Sequence, residues 1–305
     1  MDLKETLRSA SELLAAEQVP SPRMNAELLL MFTLNCDRAY LYAHAERALS
    51  SHEAARYEAA LAQRARGIPA QYITGHQEFW GMDLIVTPAV LIPRPETEHA
   101  VETVLSLQTL EIERQALECN SDATSPKSGL GAPARTLRIA DVGTGSGCIA
   151  LALAKELPQA EIHATEISAA ALEIARANAA RHQLESRIHF HQADLLAIQE
   201  PGFEKNFFDF IVSNPPYVGE SEADSVQLEV RRFEPRNAVF AGPAGTEVIQ
   251  RLIPQARAAL RPGGWLVMEI SGTISEAVKQ LLRGWNDVKI RPDLQSSPRV
   301  AQARK

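Results

Sequence analysis

The chain has 305 residues, of which 45% are hydrophobic and 23% are charged, and its formal net charge is −7. This composition excludes a chain that is disordered throughout, and no apolar run approaches the roughly 20 residues that a membrane-spanning helix needs. The acidic charge argues against a protein that grips duplex DNA, because such proteins usually present a strongly basic face to the phosphates. The expected partners are therefore proteins and small molecules, with no direct contact to nucleic acid or to a membrane.

The sequence shows no sign of export or of cysteine cross-links. Its first residues lack the basic stretch and apolar block that are typical of a secretory signal. The cysteines Cys36, Cys119 and Cys148 are widely spaced and odd in number, which indicates neither a disulfide framework nor a zinc site. We therefore expect a cytoplasmic protein without a metal, and we expect it to be a monomer.

Residues 1–70 are predicted to form a small helical domain. Ser21 can cap a helix that has Pro22 at its first position, and apolar residues recur after it at helical spacing. Residues 51–66 are predicted to form another amphipathic helix, which the glycine and proline that follow it would end.

Residues 71–95 are predicted to form a β-hairpin connector. Residues 72–75 and 82–86 have the composition of short strands around a glycine-containing turn. A helix is expected to follow and to end near Leu107. Serine, glycine and proline are frequent in residues 118–136, which predicts a surface loop.

Residues 96–305 are predicted to form a Rossmann-like α/β domain. From Leu137 onward, strand-like and helix-like segments alternate, which indicates a mostly parallel seven-stranded sheet with helices on both faces. The predicted strands are 137–142, 161–166, 187–193, 208–213, 264–270, 286–291 and 298–303, and the predicted helices are 147–157, 169–182, 246–260 and 273–283. Little sequence separates the last two strands, so we expect a terminal hairpin with an antiparallel edge strand.

A glycine-rich turn follows the first strand of this sheet. Gly143, Gly145 and Gly147 have the spacing G-x-G-x-G, after the acidic residue Asp141. Ligands of open α/β sheets bind beyond the carboxyl ends of the strands, where glycines let the backbone approach them closely. A dinucleotide-binding motif would need glycine in place of Cys148, so the turn instead resembles the first motif of Rossmann-like methyltransferases.

Acidic residues follow the next two strands. Glu166 ends the second strand, where a carboxylate can accept hydrogen bonds from both ribose hydroxyls, although it could instead only stabilise the next helix. Asp194 and Leu195 follow the third strand, where such folds hold the adenine. These features predict S-adenosylmethionine as the cofactor. The predicted cofactor-binding residues are Asp141, Gly143, Thr144, Gly145, Ser146, Gly147, Glu166, Asp194, Leu195 and Asn214.

The motif Asn214-Pro215-Pro216-Tyr217 directly follows the apolar strand 208–213. Prolines fix φ and lack an N–H, so the carbonyls around them act only as acceptors. If Oδ1 of Asn214 and the Pro215 carbonyl each accept one N–H of a planar amide or amine, they orient that nitrogen for methyl transfer and stabilise its developing charge. Tyr217 could stack on the planar group. The alternative is an ordinary turn, since Asn-Pro commonly starts one.

We therefore predict Asn214, Pro215 and Tyr217 as catalytic residues, and these three with Pro216 as the substrate-binding residues. Over nearly its whole length, the chain also resembles the N5-glutamine methyltransferases of peptide chain release factors. The segments that carry the resemblance are residues 22–30, 72–75, 78–80 and 91–98, the glycine motif, residues 214–217 and residues 233–235. Asn-Pro-Pro-Tyr is shared with adenine-N6 methyltransferases of DNA, whereas the segment 91–98 is far more specific to glutamine methylation.

The resemblance implies that the helical domain docks on a release factor. The glutamine of that protein's Gly-Gly-Gln motif would receive a methyl group on its side-chain nitrogen, and Arg94 and Glu96 would lie near the methionine end of the cofactor. The sequence departs from the family at Glu166, where aspartate is usual, in an expanded loop at 108–136, and in the tail 293–300.

Three other functions remain open. The first is methylation of a glutamine in a ribosomal protein. The second is adenine-N6 methylation of nucleic acid, which the acidic charge disfavours. The third is a non-catalytic protein that binds S-adenosylmethionine, which the intact Asn-Pro-Pro-Tyr motif disfavours.

Overall fold

The computed structural model describes residues 1–121, 136–198 and 206–305. The chain forms two compact units. The first comprises Met1–Gln77, Val86–Pro88 and Val226–Glu234, and the second comprises Glu78–Ile85, Ala89–Ser225 and Pro235–Lys305. None of the described helices is long and apolar enough to cross a membrane.

The first unit is helical. Its helices are α1 (Leu3–Ala16), α2 (Pro22–Leu34), α3 (Arg38–Ala43), α4 (Ser51–Ala65) and α5 (Ala70–Thr74), together with α9 (Leu228–Phe233) from later in the chain. Leucines at helical spacing and the buried ring of Tyr57 form the core. Helix α4 begins with a capping box between Ser50 and Glu53. Ser21, in contrast, has a left-handed backbone and makes no side-chain cap, so the predicted capping role is wrong.

Arg64 is a buried cation in this unit, with 3% of its side chain exposed. Its guanidinium donates to Oδ1 of Asn25 at 2.8 Å and to the Ile68 carbonyl at 3.1 Å, and it pairs with Glu229 at 2.7 Å. The ion pair joins α9 to the N-terminal helices, which precede it by roughly 160 residues. It therefore helps to offset the entropy cost of closing a long loop. Arg64 therefore fastens a segment from the later part of the chain into the helical unit.

We expect Arg64→Ala to lower the free energy of unfolding of this unit by about 2–4 kcal/mol, because it leaves three partly buried polar partners without their cation. Urea denaturation monitored by fluorescence would measure the loss. Arg23→Ala is the control, since the Arg23 side chain is 73% exposed and its partner Glu27, which is buried, keeps a second cation in Arg38. Equal stability losses in the two variants would contradict the structural role given to Arg64.

The connector region differs from its prediction at residues 72–75. These residues belong to helix α5, and the strands of the hairpin are β1 (His76–Phe79) and β2 (Met82–Ile85). The strand predicted at 72–75 is therefore wrong. Gly75 adopts φ +78 and its N–H donates to the Gln71 carbonyl at 2.7 Å, which makes it a helix C-cap. This capping outweighs the strand propensity of the β-branched residues before it.

Helix α6 (Glu98–Ser121) is longer than predicted. The expected end near Leu107 is wrong because tertiary contacts hold the next turns in place. The buried carboxylate of Glu111 accepts a hydrogen bond from the Trp265 indole at 3.3 Å and pairs with Arg304 at 3.4 Å. Of the loop predicted at 118–136, residues 118–121 are helical and residues 122–135 lie outside the described residues.

The second unit is built on a seven-stranded sheet with the order β10-β11-β9-β6-β3-β4-β5, which confirms the predicted fold class. Its strands are β3 (Arg138–Val142), β4 (Glu161–Glu166), β5 (Ile188–Gln192), β6 (Phe208–Ser213), β9 (Leu260–Glu269), β10 (Asn286–Pro292) and β11 (Pro298–Arg304). Neighbouring strands from β9 to β5 are parallel. The terminal hairpin supplies the antiparallel pairing at the edge: β11 runs antiparallel to both β9 and β10, and β10 is outermost.

Helices cover both faces of this sheet. They are α6, α7 (Cys148–Glu156), α8 (Ala169–Arg181), α11 (Glu247–Ala259) and α12 (Ser275–Leu281), and apolar cores lie on both sides. Two short strands, β7 (Val218–Gly219) and β8 (Phe240–Gly242), pair separately, with α10 (Arg236–Val239) before β8. The chain order reverses between β3 and β6, which lie side by side, and ligands bind at such switch points in open α/β sheets.

Candidate active site

A cavity of about 310 Å³ lies at this switch point. It is lined by residues that follow the carboxyl ends of strands β3, β4, β5 and β6. Nine of the predicted site residues line it: Gly143, Thr144, Gly145, Ser146, Glu166, Asp194, Leu195, Asn214 and Pro216. Segments that are far apart in the sequence thus meet around one space, as expected for loops at the same edge of a parallel sheet.

The three motif glycines all have positive φ but different surroundings. A Cβ atom at Gly143 or Gly145 would meet no atom within 4 Å, so these residues border open space. A Cβ at Gly147 would instead approach Ala175 and Leu151 at 3.3 Å. Gly143 and Gly145 therefore leave room for a ligand beside the backbone, whereas Gly147 allows helix α7 to pack closely.

Asp141 lies beneath the glycine turn and is 1% exposed. Its Oδ2 accepts hydrogen bonds from the Thr144 hydroxyl at 2.6 Å and from the Ala150 N–H at 3.1 Å, which ties the turn to helix α7. Its Oδ1 has no hydrogen-bond partner among the described residues. Burial raises the pKa of this carboxyl to about 7. Asp141 thus supports the turn from behind, while Thr144 and its neighbours line the cavity.

Glu166 lines the cavity and also holds its walls. One carboxylate oxygen accepts the Gly145 N–H at 3.0 Å, and the other accepts the Ser168 N–H at 2.9 Å. Ser168 in turn caps helix α8 through its hydroxyl. The carboxylate therefore braces both the glycine turn and the start of this helix, and its remaining lone pairs are available to a ligand.

At another wall of the cavity, Asp194 and Leu195 follow strand β5. Asp194 forms an ion pair with Arg251 of helix α11, and both residues line the cavity. Leu195 has φ +55, a left-handed conformation that is uncommon for this residue type. Arg251 was not predicted from the sequence because it lies on an amphipathic helix, where an arginine usually faces solvent.

The Asn-Pro-Pro-Tyr motif is held by a buried carboxylate. Nδ2 of Asn214 donates to Oγ1 of Thr97 at 3.1 Å, and the Thr97 hydroxyl donates to Oε2 of Glu269 at 2.6 Å. The Tyr217 hydroxyl donates to Oε1 of the same carboxylate at 3.1 Å. Thr97 and Glu269 are both 1% exposed. Burial raises the pKa of Tyr217, and proximity to the Glu269 carboxylate raises it further.

Pro215 and Tyr217, unlike Asn214 and Pro216, are not among the described residues that line the cavity. Pro215 is buried, and Tyr217 is directed by its hydroxyl toward Glu269. Among the described residues, those of the motif that line the cavity are Asn214 and Pro216. The predicted stacking of Tyr217 on a substrate thus stays a prediction.

Thr97 and Glu269 were not predicted as site residues. Thr97 lies in the segment 91–98. Three residues of this segment line the cavity: Leu91, Pro93 and Thr97. Glu269 ends strand β9, so it carries the same signal as Glu166, an acidic residue at the carboxyl end of a strand. That signal could have identified Glu269 from the sequence.

Gly245 supports the motif through a backbone contact. A Cβ atom there would lie 2.7 Å from the Tyr217 carbonyl oxygen and 2.9 Å from the Gly219 nitrogen. We expect Gly245→Ala to destabilise the protein by about 1–2 kcal/mol from its left-handed φ and by about 1–3 kcal/mol more from this overlap. Gly284→Ala is the control, because Gly284 has a similar φ of +83 and its Cβ would meet only the Arg257 side chain, at 3.7 Å.

Urea denaturation of both glycine variants would separate the two contributions. The control reports the cost of the left-handed conformation alone. If Gly245→Ala were no less stable than Gly284→Ala, the backbone around Tyr217 would be free to shift, and the contact would not fix the motif.

Comparisons with known proteins agree with this architecture. Two family models match the chain: PrmC N-terminal domain over residues 5–75, and Methyltransferase small domain over residues 130–232. The catalytic domain of hMettl16, solved in complex with MAT2A 3′UTR hairpin 6, aligns with a TM-score of 0.55. Its sequence identity is 17%, with 88% of this chain and 92% of that chain covered, so this likeness shows the fold alone.

Curated relatives are much more similar in sequence. A release factor glutamine methyltransferase of Koribacter versatilis is 52% identical, with 100% of this chain and 99% of the relative covered. Another of the same name from Moorella thermoacetica is 40% identical, with 96% of this chain and 95% of the relative covered. With its methyltransferase domain and this full-length similarity, the chain belongs to the release factor glutamine methyltransferase family.

Proposed function

We propose that the protein methylates the side-chain amide nitrogen, N5, of the glutamine in the Gly-Gly-Gln motif of peptide chain release factors. The observation that carries the proposal is the amide of Asn214: its NH₂ group donates to Thr97, which leaves Oδ1 as a free acceptor on a residue that lines the cavity. The names of relatives that match over their full length support the choice of a release factor glutamine as substrate.

The residues around the cavity fit S-adenosylmethionine as the methyl donor. Gly143 and Gly145 leave open space where a Cβ would otherwise stand. Glu166 and Asp194 place carboxylates on the lining, which suit ribose hydroxyls and an adenine amino group, and Leu195 offers an apolar cover. Further contacts would come from Thr144, Ser146 and Asn214. When bound, the cofactor supplies an electrophilic methyl group on a sulfonium.

The chain's own contribution is to hold a weak nucleophile. An amide nitrogen has its lone pair delocalised, and its two N–H groups are donors. Oδ1 of Asn214 and the Pro215 carbonyl are acceptors that can bind one N–H each and fix the direction of the nitrogen. The same acceptors stabilise positive charge that develops on the nitrogen during transfer. Asn214 and Pro216 line the cavity and Pro215 is buried between them in the chain, so the proposed use of its carbonyl requires the substrate amide to reach past the lining; neither proline brings a competing N–H.

The remaining assignments follow from this function. Residues 1–70 would form the domain that docks on the release factor, residues 71–95 the connector, and residues 96–305 the catalytic domain, apart from Val226–Glu234, which belong to the helical unit. We further propose that the enzyme acts in the cytoplasm as a monomer, with Tyr217 against the glutamine amide and with Arg94 and Glu96 near the methionine end of the cofactor.

Incubation with labelled S-adenosylmethionine and a purified release factor tests the proposal. We expect label in the release factor, and mass spectrometry should locate one methyl group on the glutamine of its Gly-Gly-Gln peptide. Parallel reactions with ribosomal proteins and duplex DNA test the two other methyl acceptors. Label in either of those substrates, with none in the release factor, would refute the proposed function.

A further inference from the structure

One side chain, that of Thr97, connects Asn214 to the buried carboxylate of Glu269. Asn214 donates from Nδ2 to Thr97, and the Thr97 hydroxyl donates to Glu269 at 2.6 Å. At this distance the hydroxyl and the carboxylate oxygen form a strong hydrogen bond. The second carboxylate oxygen accepts the hydroxyl of Tyr217. Both oxygens of Glu269 therefore receive a proton donor, as an ionised carboxylate requires.

The directions of these hydrogen bonds follow from the number of hydrogens available. A threonine hydroxyl has one hydrogen, and an ionised carboxylate can only accept. Once Thr97 donates that hydrogen to Glu269, its oxygen can act toward Asn214 only as an acceptor. The amide of Asn214 must then present Nδ2 to Thr97, and the oxygen Oδ1 must point the other way. The hydrogen-bond network thus assigns the amide orientation, as it does for asparagines in general.

We propose that Glu269 is a positioning residue that acts through Thr97 to keep Oδ1 of Asn214, and not its NH₂ group, turned toward the substrate. This inference rests on the proposed function for its catalytic consequence, but the orientation itself is a property of the free protein. The reversed amide would place donors against the N–H groups of the substrate amide, so no hydrogen bond could hold the nitrogen in place.

The segment 91–98 gains a role from this arrangement. Its Thr97 is the link between strand β9, which supplies Glu269, and the loop after strand β6, which supplies Asn214. The segment therefore orients the Asn214 amide through Thr97 and also lines the cavity through Pro93.

The charge of Glu269 makes this arrangement sensitive to pH. Burial raises the pKa of Glu269 above its ordinary value of 4.5, while hydrogen bonds from Thr97 and Tyr217 and the charge of Arg299 oppose that rise, and Glu96 adds to it. A proton on Glu269 could be donated to Thr97, whose own hydrogen could then be donated to Oδ1 of Asn214. The amide would reverse, so kcat should fall on the acid side as the pH drops through the raised pKa of Glu269.

Substitutions at Thr97 test the inference. Thr97→Val keeps the size of the side chain and removes the hydroxyl, whereas Thr97→Ser keeps the hydroxyl and should restore the link. Thr103→Val is the matched control: Thr103 is also buried, at 2% exposure, and its hydroxyl donates to the His99 carbonyl within helix α6. A fourth variant, Glu269→Gln, cannot take up the proton.

The first measurement needs no methyl transfer. In the full-length protein labelled with ¹⁵N-asparagine, the side-chain NH₂ signal of Asn214 can be assigned by its absence in Asn214→Ala. We expect one of its two hydrogens to be protected from exchange in the wild type, in Thr97→Ser and in Thr103→Val, and to lose that protection in Thr97→Val. Retained protection in Thr97→Val would overturn the assigned orientation.

The second measurement is methyl transfer to the release factor. We expect Thr97→Val to lower kcat by roughly 10- to 100-fold, since misplaced reacting groups cost about that much, with cofactor affinity unchanged within error. Thr97→Ser should recover most of the rate, and the acid-side fall of kcat should be absent in Glu269→Gln. A Thr97→Ser variant as slow as Thr97→Val would overturn the inference. A wild type without transfer would refute the proposed function, and the exchange measurement would still decide the orientation.

Discussion

Replacement of Asn214 by alanine is expected to lower kcat by roughly 100- to 1,000-fold, the usual cost of removing one preorganised group that stabilises transition-state charge. The variant loses Oδ1, which we propose as an acceptor for one N–H of the substrate amide. Although Asn214 is one of the proposed cofactor contacts, cofactor affinity should change far less than kcat, because the glycine turn and Glu166 supply other walls of the cavity. Single-turnover methyl transfer and calorimetric titration with S-adenosylhomocysteine would measure the two effects separately.

Two further variants make this result specific. Asn286→Ala removes an exposed asparagine on the outermost strand and should transfer methyl groups at the wild-type rate. Asn214→Asp keeps an acceptor toward the substrate, but its second oxygen would also need a hydrogen from Thr97. The Thr97 hydroxyl has only one hydrogen and already donates it to Glu269. We therefore expect Asn214→Asp to be impaired as well. Wild-type activity in Asn214→Ala would disprove the mechanism, whereas wild-type activity in Asn214→Asp would show that the amide group is unnecessary.

The sequence predicted the sheet well because its central strands are buried on both faces. Such strands are rich in apolar or β-branched residues, and glycine, proline or acidic residues mark where several of them end. Strands 161–166 and 208–213 match the structure from end to end. Strands β7 and β8 have two and three residues, too few for any periodic pattern, and they were missed.

The error in the length of helix α6 arose because distant residues decide the local structure, whereas the strand predicted at 72–75 failed on the local C-cap at Gly75. Helix α6 passes Leu107 because Glu111 is bound by Trp265, a contact 154 residues away in the chain. The same limit applies to the site. The glycine turn and the Asn-Pro-Pro-Tyr motif are contiguous in sequence and could be recognised, but Thr97 and Glu269 are 172 residues apart. Nothing in the local pattern of either residue indicates the other, so their hydrogen bond is visible only in the fold.

Glu166→Gln is expected to weaken cofactor binding by roughly 10- to 100-fold, although glutamine has almost the same shape as glutamate. Each carboxylate oxygen of Glu166 accepts a backbone N–H, one from Gly145 and one from Ser168. Both partners can only donate, so the NH₂ group of a glutamine would face one of them, donor against donor. The glycine turn or the start of helix α8 would have to move, and either change would deform the wall of the cavity.

Calorimetric titration of S-adenosylhomocysteine would measure this effect, with Glu173→Gln as the control because Glu173 lies on the exposed face of the same helix α8. Glu166→Asp retains two acceptors with a shorter reach, so its affinity should lie between those of the wild type and Glu166→Gln. If Glu166→Gln bound the ligand as tightly as the wild type, both backbone contacts would be dispensable. Glu166 would then be an ordinary acidic residue at a strand end, and the cofactor would have to be held by other groups on the lining.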